Sequence, residues 1–349
     1  MKLNLSVSNL QQILKTESPY RIKQAWHAFF SPHFKGWDSV LPFPKTLRLS
    51  LEEKLNSSSV SESFLIKSKD DTSVCKAFLT LYDRQKIETV LMINPKKQWT
   101  VCISTQVGCP INCVFCATGK MGFFRNLDAV EMIEQVCFWK KFLSSQSQDQ
   151  IPQRISNIVL MGMGEPLLNY DHVKEAVRLM AEYALIGPNQ MTLSTVGLFP
   201  QLDALLIDPG WPKVKIAISL HSADNDIRKK LVPSHHEDFF GHLKKWAFQY
   251  EKMIGSRTRP LTFELVMLQG VNDSIQEAEK LIAFLKGLHR IKVNLIPWNT
   301  AQSVSEPFKP SPYPSIVKFQ EELNHKGIVA TIRKSLGQDI NAACGQLAG

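Results

Sequence analysis

Three cysteines about a third of the way along the chain, Cys109, Cys113 and Cys116, follow the spacing C-x3-C-x2-C. Three thiolates can each bind one iron of a [4Fe-4S] cube, and the fourth iron then stays open to a small molecule. Ferredoxins use the spacing C-x2-C-x2-C, so this pattern indicates a catalytic cluster rather than an ordinary electron-transfer cluster. A structural zinc site is the alternative, but it takes four ligands in paired spacing, and no nearby cysteine or histidine is an obvious fourth.

Other reactive side chains are less distinctive when each is taken alone. Cys344 lies among small residues and before a glycine, which favours a mobile, accessible loop. Cys102 is typical of a buried strand residue. Glu88 is typical of a solvated carboxylate on a strand. Cys75 and Cys137 belong to no motif, and we interpret them as packing residues.

From about residue 99 onward, apolar runs of strand length alternate with helical patterns. The predicted strands cover 100–105, 155–161, 191–195, 214–220, 261–267 and 292–297, with a last β-like run at 328–333. The predicted helices cover 128–143, 171–184, 237–252, 273–287 and 313–326, with Asp171 and Asp273 as N-caps of two of them. This alternation indicates a parallel sheet with crossover helices, and six units are too few for a closed eight-stranded barrel. We therefore predict an α/β fold with a partial (β/α)6 barrel, whose chemistry collects at the carboxyl ends of the strands.

The N-terminal region, residues 1–56, is predicted to form short helices, one of them beginning at Ser18-Pro19. The first 60 residues contain eight Lys and Arg against four Asp and Glu. The basic and aromatic residues that share this region are Lys23, Lys35, Lys45, Arg48, Tyr20, Trp26, Phe29, Phe30, Phe34 and Trp37. Two interpretations remain open: an RNA-docking module with cations for phosphates and rings for bases, or a helical domain with an aromatic core.

A run of three serines, Ser57-Ser58-Ser59, marks a linker after this region. Residues 57–94 predict a small β-meander with polar turns at Asp70-Asp71 and Arg84-Gln85. The main domain then covers residues 95–349 and includes the loop that carries the C-terminal cysteine.

The composition is typical of a folded protein with an anionic partner. The 349 residues are 44% hydrophobic and 21% charged, which excludes wholesale disorder. No apolar run reaches the roughly 18 residues needed to span a bilayer, and we expect neither a signal peptide nor a membrane partner. The net charge of +9 favours a polyanion such as nucleic acid. An odd count of seven cysteines argues against a disulfide framework, so we expect a cytoplasmic protein. Separately, we expect a monomer.

Seven motifs in order carry a resemblance to a known family. The cysteine motif, with an aromatic residue before its last cysteine, resembles the signature of the radical S-adenosylmethionine (radical SAM) superfamily. The motifs are CISTQVGCPINCVFCATG (102–119), MGMGEPLLN (161–169), LSTVG (193–197), SLH (219–221), GVND (270–273), NLIPWN (294–299) and INAACGQL (340–347). Together they make the chain similar to the RlmN-type adenine-C2 RNA methyltransferases, from the YRIKQ of the N-terminal helices to the C-terminus.

The resemblance implies a radical SAM barrel and a role for each motif residue. Cys109, Cys113 and Cys116 would ligate the [4Fe-4S] cluster. Cys344 would carry a methyl group, with Cys102 as the second reactive cysteine and Glu88 as a proton acceptor. The implied contacts to S-adenosylmethionine are Gly164, Glu165, Ser194, Ser219, Leu220, His221 and Asn299.

The resemblance also implies a reaction that uses two S-adenosylmethionine molecules per turnover. One methylates Cys344, and a second is cleaved reductively to a radical that activates this methyl group. The carbon radical adds to C2 of adenine in 23S rRNA or tRNA and gives a covalent protein–RNA adduct. Attack by Cys102 on Cys344 releases the product and leaves a disulfide, while an external electron donor supplies the cluster.

Two other functions are compatible with parts of the pattern. A Cfr-type adenine-C8 methyltransferase would share the cluster and both cysteines, although its motifs differ at Pro166 and Pro297-Trp298. A zinc-bearing RNA-binding module without catalysis would share only the cysteine spacing.

The chain also departs from the family pattern at Asn189-Gln190, where the family often has basic residues. Gln338 and Asn341 replace acidic residues of the family. Fewer carboxylates near Cys344 should ease formation of its thiolate. The chain also departs from the family pattern at His235, and this departure suggests no role for the residue.

Overall fold

A computed structural model describes residues 2–69, 73–146, 153–300 and 308–348. Its strands, in chain order, are β1 (Val60–Lys67), β2 (Val74–Leu81), β3 (Lys86–Ile93), β4 (Trp99–Cys102), β5 (Gln106–Gly108), β6 (Phe123–Asn126), β7 (Ile155–Leu160), β8 (Met191–Thr195), β9 (Lys215–Ser219), β10 (Leu261–Met267), β11 (Ile291–Pro297) and β12 (Ala330–Ile332). Ten of them form one sheet in the order β1-β2-β3-β4-β7-β8-β9-β10-β11-β12, and β5 pairs with β6 in a separate hairpin.

The sheet changes from antiparallel to parallel at β4. Strands β1 to β4 pair antiparallel, whereas β4 and β7 to β12 all pair parallel with their neighbours. The parallel part confirms the predicted α/β fold with an open, partial barrel, since β1 and β12 are the two ends of the sheet in the described part of the chain. The β-meander is continuous with the barrel sheet, so it extends the same layer. Its predicted turn at Arg84 lies between β2 and β3, and Asp70-Asp71 lie outside the described residues.

The helices are α1 (Val7–Ile13), α2 (Pro19–Phe29), α3 (Lys45–Lys54), α4 (Ala117–Lys120), α5 (Ala129–Ser144), α6 (Tyr170–Tyr183), α7 (Phe199–Ile207), α8 (Asn225–Leu231), α9 (Phe239–Met253), α10 (Ile275–Leu285) and α11 (Tyr313–His325). Helix α5 begins with a capping box, in which Asp128 accepts from the amide of Glu131 and Glu131 accepts from the amide of Asp128. No helix of the described residues is long and apolar enough to cross a membrane.

Both predicted N-caps are wrong, although the helices exist. Helix α6 begins one residue earlier than predicted, with Asn169 at its N-cap and Asp171 inside its first turn. Helix α10 begins after Ser274, whose Oγ accepts from the amide of Glu277 at 3.3 Å. The carboxylate of Asp273 instead accepts from the amide of Gly270 at 2.9 Å and closes the preceding turn.

The N-terminal helices form a small domain with an aromatic core that continues into the barrel. Five of the six aromatic residues singled out from the sequence are buried, namely Trp26, Phe29, Phe30, Phe34 and Trp37, and only Tyr20 is exposed. The ring of Phe30 stacks on Tyr183 of α6 at 6.1 Å between centroids. Lys140 of α5 donates to the carbonyl of Phe30 at 2.6 Å. The five buried rings therefore stabilise the fold, whereas Tyr20 and cations such as Lys23, Lys35 and Lys45 stay exposed.

A buried carboxylate fixes the serine linker to the barrel. Glu134 of α5 accepts from the backbone amide of Ser59 at 2.9 Å and from the hydroxyls of Ser58 and Ser59. Burial raises the pKa of Glu134 to about 8, because desolvation outweighs these hydrogen bonds. The folded chain therefore holds a proton here that the unfolded chain releases above about pH 4.5.

This linkage predicts how stability depends on pH. As the pH rises through the window from about 4.5 to about 8, the folded state binds more protons than the unfolded state, so the free energy of unfolding should fall. The side chain of Glu134→Gln stays neutral, so the free energy of unfolding of this variant should fall less steeply with pH than that of the original chain. The difference in slope should reach about 1.4 kcal/mol per pH unit in this window. Urea denaturation of both proteins from pH 5 to pH 9 measures the difference, and parallel curves would contradict the assignment.

Candidate active site

The three motif cysteines lie on one loop at the carboxyl ends of the parallel strands, between β5 and α4. Gly108 opens the loop with φ +75°, and a Cβ there would collide with the carbonyl oxygen of Gly122. Three backbone hydrogen bonds then fix the loop: Cys109 donates to Gly122, Val114 to Leu231 at the end of α8, and Ala117 to Gly345 of the C-terminal segment, at 2.8–3.1 Å. The loop is thus held between a hairpin, a helix end and the segment that carries Cys344.

The thiols of this loop lie close enough to influence one another's ionisation. Burial raises the pKa of Cys109 to about 12, and the neighbouring Cys116 and Glu165 raise it as well. Burial also raises the pKa of Cys113 well above its usual value, with further contributions from Cys116 and Cys109. Thiols with raised pKa values need a nearby positive charge to form thiolates. Bound iron supplies such a charge.

The donor set fits a [4Fe-4S] cluster, which takes one thiolate for each of three irons. Cys109, Cys113 and Cys116 would hold it. Among the described residues, no three His, Cys, Asp or Glu side chains are arranged as ligands of a single metal ion.

Arg228 of α8 is a buried cation beside this loop that sequence reasoning missed. Its guanidinium is 1% exposed, donates to the carbonyl of Val196 at 2.6 Å and lies 3.5 Å from the ring centroid of Phe239. It also contacts the Nδ1 of His235 at 2.9 Å, which gives that residue a structural role. Its positive charge lowers the pKa of Cys113, and burial lowers its own pKa to about 9. Only a helical pattern over residues 225–231 could have signalled this position, and that short helix is absent from the predicted elements.

The glycine-rich stretch after β7 packs its backbone against the loop that follows β4. A Cβ at Gly164 would lie 2.6 Å from the Cβ of Gln106, so only glycine fits at its φ of +103°. Glu165 accepts from the amides of Leu167 and Val196 at 3.0 and 2.9 Å. Burial raises the pKa of Glu165 to about 7 despite these bonds. The stretch therefore lies beside the cysteine loop, with a buried carboxyl group that braces the end of β8.

Ser194 and Ser219 come together inside the barrel at the ends of β8 and β9. Their hydroxyls are 3.1 Å apart. Glu264 of β10 lies beside them, where it accepts from Asn294 at 3.1 Å and hydrogen-bonds to Ser194. Burial raises the pKa of Glu264, and sequence reasoning did not single it out. Its position could have been inferred only from a carboxylate in an otherwise apolar strand.

The segment after β9 turns sharply above the cysteine loop. The amides of Leu220 and His221 both donate to the carbonyl of Glu264, and His221 adopts a φ of +64°. The Nδ1 of His221 accepts from the amide of Val266 at 3.2 Å, and its ring lies 4.6 Å from that of Phe115 in the cysteine loop. Burial lowers the pKa of His221 to about 3, so the ring is neutral and packs against the loop.

Asn299 connects the end of β11 to the C-terminal loop. Its Nδ2 donates to the carbonyl of Cys344 at 3.3 Å, and its Oδ1 accepts from Gln338 at 2.6 Å. The departure at Gln338 thus supplies a donor that an acidic residue would lack. Gln346 donates to the carbonyl of Thr300 at 2.8 Å and fixes the same loop from its other side.

Cys344 is exposed on this loop, yet its thiol does not ionise readily. Burial of the sulfur raises its pKa to about 11, Glu264 and Cys116 raise it further, and Arg333 lowers it. The replacement of acidic residues by Gln338 and Asn341 therefore does not leave Cys344 without a carboxylate, because Glu264 approaches it from a distant strand.

Cys102, the last residue of β4, is buried and lies near Cys344. Burial raises its pKa, and a thiolate at Cys344 would raise it further. Both cysteines are free in the structure, as are the other five. Two residues separated by most of the chain are thus brought to the same place at the mouth of the barrel, beside the cysteine loop.

Glu88 of β3 is buried rather than solvated, so the interpretation from the sequence alone is wrong. Its Oε2 is 3.2 Å from the Nζ of Lys76, and both side chains are about 95% buried. Its Oε1 lies 3.5 Å from the amide of Ala348, and Lys76 donates to the carbonyl of Asn341 at 3.1 Å. This ion pair therefore faces the C-terminal segment on both sides of Cys344. Lys76 escaped sequence reasoning because a lysine in a strand has no distinctive pattern.

Comparison with known proteins places this fold and site. The model of the Radical SAM superfamily matches residues 103–285. The chain is 37% identical to the "Probable dual-specificity RNA methyltransferase RlmN" of Dictyoglomus turgidum, over 99% of this chain and 95% of that protein. It is 38% identical to the "Dual-specificity RNA methyltransferase RlmN" of Ruthia magnifica, over 95% of this chain and 90% of that protein.

A solved structure shows the same architecture. The crystal structure of a radical SAM methyltransferase from Sphaerobacter thermophilus is 38% identical, covers 99% of both chains and superposes with a TM-score of 0.88. An open parallel sheet with a three-cysteine loop at its carboxyl edge thus defines a radical SAM enzyme, whose superfamily uses a [4Fe-4S] cluster and S-adenosylmethionine. Within that superfamily, the chain belongs to the RlmN family of dual-specificity RNA methyltransferases.

Proposed function

We propose that this RNA methyltransferase methylates C2 of adenine in 23S rRNA and tRNA, with Cys344 as the methyl carrier. The observation that carries the proposal is the proximity of Cys102 and Cys344 at the mouth of the barrel, where a thiolate at Cys344 raises the pKa of Cys102. A methyltransferase that transfers the methyl group directly from S-adenosylmethionine to RNA needs no such pair of cysteines. The names of the relatives support the choice of RNA as substrate.

The protein residues have separate tasks in this reaction. When bound, the cluster and S-adenosylmethionine supply an electron and a carbon radical that activates the methyl group. The Cys344 thiolate first accepts a methyl group from one S-adenosylmethionine, and a second molecule is consumed in the radical step. Gly164, Glu165, Ser194, Ser219, Leu220, His221 and Asn299 would bind and orient this cofactor. After the C2 proton has left, the Cys102 thiolate would attack the sulfur of Cys344. The bond between this sulfur and the methylene carbon would break, its electron pair would pass to that carbon, which takes up a proton to become the methyl group, and a disulfide would remain between the two cysteines.

Glu88 is proposed as the acceptor of the C2 proton. It lies beside the C-terminal segment, and its Oε2 is 3.2 Å from the Nζ of Lys76. The disulfide requires reduction before the next turnover, and an external electron donor serves the cluster. We further propose that the protein is a cytoplasmic monomer.

Analysis of the product tests this function. The holoenzyme is incubated anaerobically with reductant, labelled S-adenosylmethionine and unmodified 23S rRNA fragments or tRNA. The RNA is then digested to nucleosides, which are separated by chromatography and identified by mass spectrometry. We expect 2-methyladenosine from both RNAs. Detection of 8-methyladenosine would instead assign a Cfr-type reaction, and colourless protein with zinc and no iron or sulfide would assign the non-catalytic module.

We also propose that the N-terminal domain docks RNA through its exposed cations Lys23, Lys35 and Lys45. Deleting residues 1–55 is not a clean test, because their aromatic core continues into the barrel. The triple substitution of these lysines by alanine should weaken RNA binding and reduce its salt dependence, by about 0.7 to 0.9 in log–log slope for each phosphate that the variant no longer neutralises. The matched control replaces three exposed lysines elsewhere, Lys286, Lys318 and Lys326, and equal weakening in both proteins would refute a specific docking surface.

A further inference from the structure

An open cavity lies beside the proposed site, at the carboxyl ends of β11 and β12. It has a volume of about 330 Å³, and its walls include Tyr313, Arg333, Lys334, Ser335 and Gln338. The two strands are parallel neighbours, and the amide of Arg333 donates to the carbonyl of Leu295 at 2.8 Å. The cavity therefore belongs to the same edge of the sheet as the cysteine loop, but none of the residues assigned to the cluster or to S-adenosylmethionine lines it.

One wall of the cavity connects directly to the reactive cysteine. Gln338 donates to Asn299 at 2.6 Å, and Asn299 donates to the carbonyl of Cys344 at 3.3 Å. A ligand that occupies the cavity would thus lie two hydrogen bonds from the main chain of Cys344. In the proposed reaction, the target adenine must lie at Cys344. The part of the RNA strand next to this adenine would therefore lie near the cavity.

The polar groups of the cavity match one nucleotide. Arg333 and Lys334 are consecutive and exposed, and their side chains can bind the oxygens of a phosphate. The Oγ of Ser335 is buried but has no hydrogen-bond partner among the described residues. A buried hydroxyl without a partner is costly, and Ser335 is one of the residues that line this cavity. The ring of Tyr313 is 64% exposed, which leaves a face on which a base can stack.

We propose that this cavity binds the phosphate and base of a nucleotide that flanks the target adenine, with Arg333, Lys334 and Ser335 on the phosphate and Tyr313 on the base. The inference rests on the proposed function and names the part of the RNA that the site takes. Because Arg333 also acts on the ionisation of Cys344, its substitution would affect two properties at once. Lys334 and Ser335 are the better probes.

The test measures RNA affinity and cofactor affinity separately on the anaerobic holoenzyme. The probes are an unmodified tRNA transcript, read by fluorescence anisotropy, and S-adenosylmethionine, read by calorimetry. Ser335→Ala and Lys334→Ala should each weaken RNA binding roughly tenfold, the scale of one hydrogen bond to a charged group, with S-adenosylmethionine affinity unchanged. Ser335→Ala should also leave the melting temperature unchanged, because its hydroxyl makes no hydrogen bond to the described residues. Lys326→Ala, at the far end of α11, is the matched control.

A second measurement identifies the contact as a phosphate. In synthetic RNA, single phosphates next to the target adenine are replaced by neutral methylphosphonates. One such replacement should weaken binding to the original chain but have little further effect on Lys334→Ala, because the two changes remove the same interaction.

Several outcomes would overturn the inference. Unchanged RNA affinity in both variants would do so, as would equal weakening in Lys326→Ala, which would indicate a general effect of charge. A loss of S-adenosylmethionine affinity instead would assign the cations to the methionine carboxylate. If the original chain forms no methylated RNA, the proposed function itself fails, and that result is distinct from all of these.

Discussion

Cys113→Ala should abolish both cluster binding and RNA methylation. Each of the three thiolates holds a separate iron, so removal of one leaves a cube with two protein ligands and a second open iron. We expect an iron and sulfide content near zero after anaerobic reconstitution, and no methylated adenosine by mass spectrometry.

Cys75→Ala provides the matched control for this experiment. Cys75 is a buried cysteine of β2, and burial raises its pKa as it does in the loop, but it belongs to no motif. This variant should keep its iron, its sulfide and its activity. A Cys113→Ala protein with normal iron content and substantial methylation would show that the cluster is held elsewhere. The same comparison applies to Cys109 and Cys116.

The regular part of the fold is accessible from the sequence because its signals are local. The predicted bounds of strands β8 and β10 match the structure. Those of strands β7, β9 and β11 and of helices α5, α6 and α11 agree within one residue at each end, since buried parallel strands and amphipathic helices have distinct periodicities. The short helices α7 and α8 escape prediction because seven to nine residues give too little periodicity. The predicted strand over residues 100–105 ends at Cys102, because the chain leaves the sheet there to form the β5–β6 hairpin.

The pairings that complete the site are not accessible from the sequence, because they join residues far apart in the chain. Lys76 and Glu88 face each other only once β2 and β3 pair, and their contact with the C-terminal segment spans about 260 residues. Arg228 reaches the cysteine loop through the packing of α8. The aromatic residues of the N-terminal helices have a composition that suits either RNA or a core, and only their burial decides between the two.

Cys344→Ala and Cys102→Ala should fail in different ways, and this difference is the sharpest test of the proposed chemistry. Without Cys344 no sulfur carries the methyl group, so this variant should give neither product nor protein–RNA adduct. Without Cys102 the methyl group can still be loaded and added to adenine, but no thiol remains to attack the sulfur of Cys344. Cys102→Ala should therefore accumulate protein covalently linked to RNA, detected as a band that survives denaturation and disappears with ribonuclease.

The structure supports the use of alanine at both positions. Cys344 is exposed, and at Cys102, a buried residue at the end of β4, alanine removes only the sulfur atom. The double variant serves as the control, because an adduct that requires Cys344 must vanish when both are replaced. If the pair merely formed a disulfide that braces the fold, both single variants would show the same loss of stability and no adduct. Normal turnover by Cys102→Ala, or an adduct formed by Cys344→Ala, would contradict the assigned roles while leaving the enzyme class intact. The asymmetry thus depends on the order of the two steps, which the burial of either cysteine does not determine.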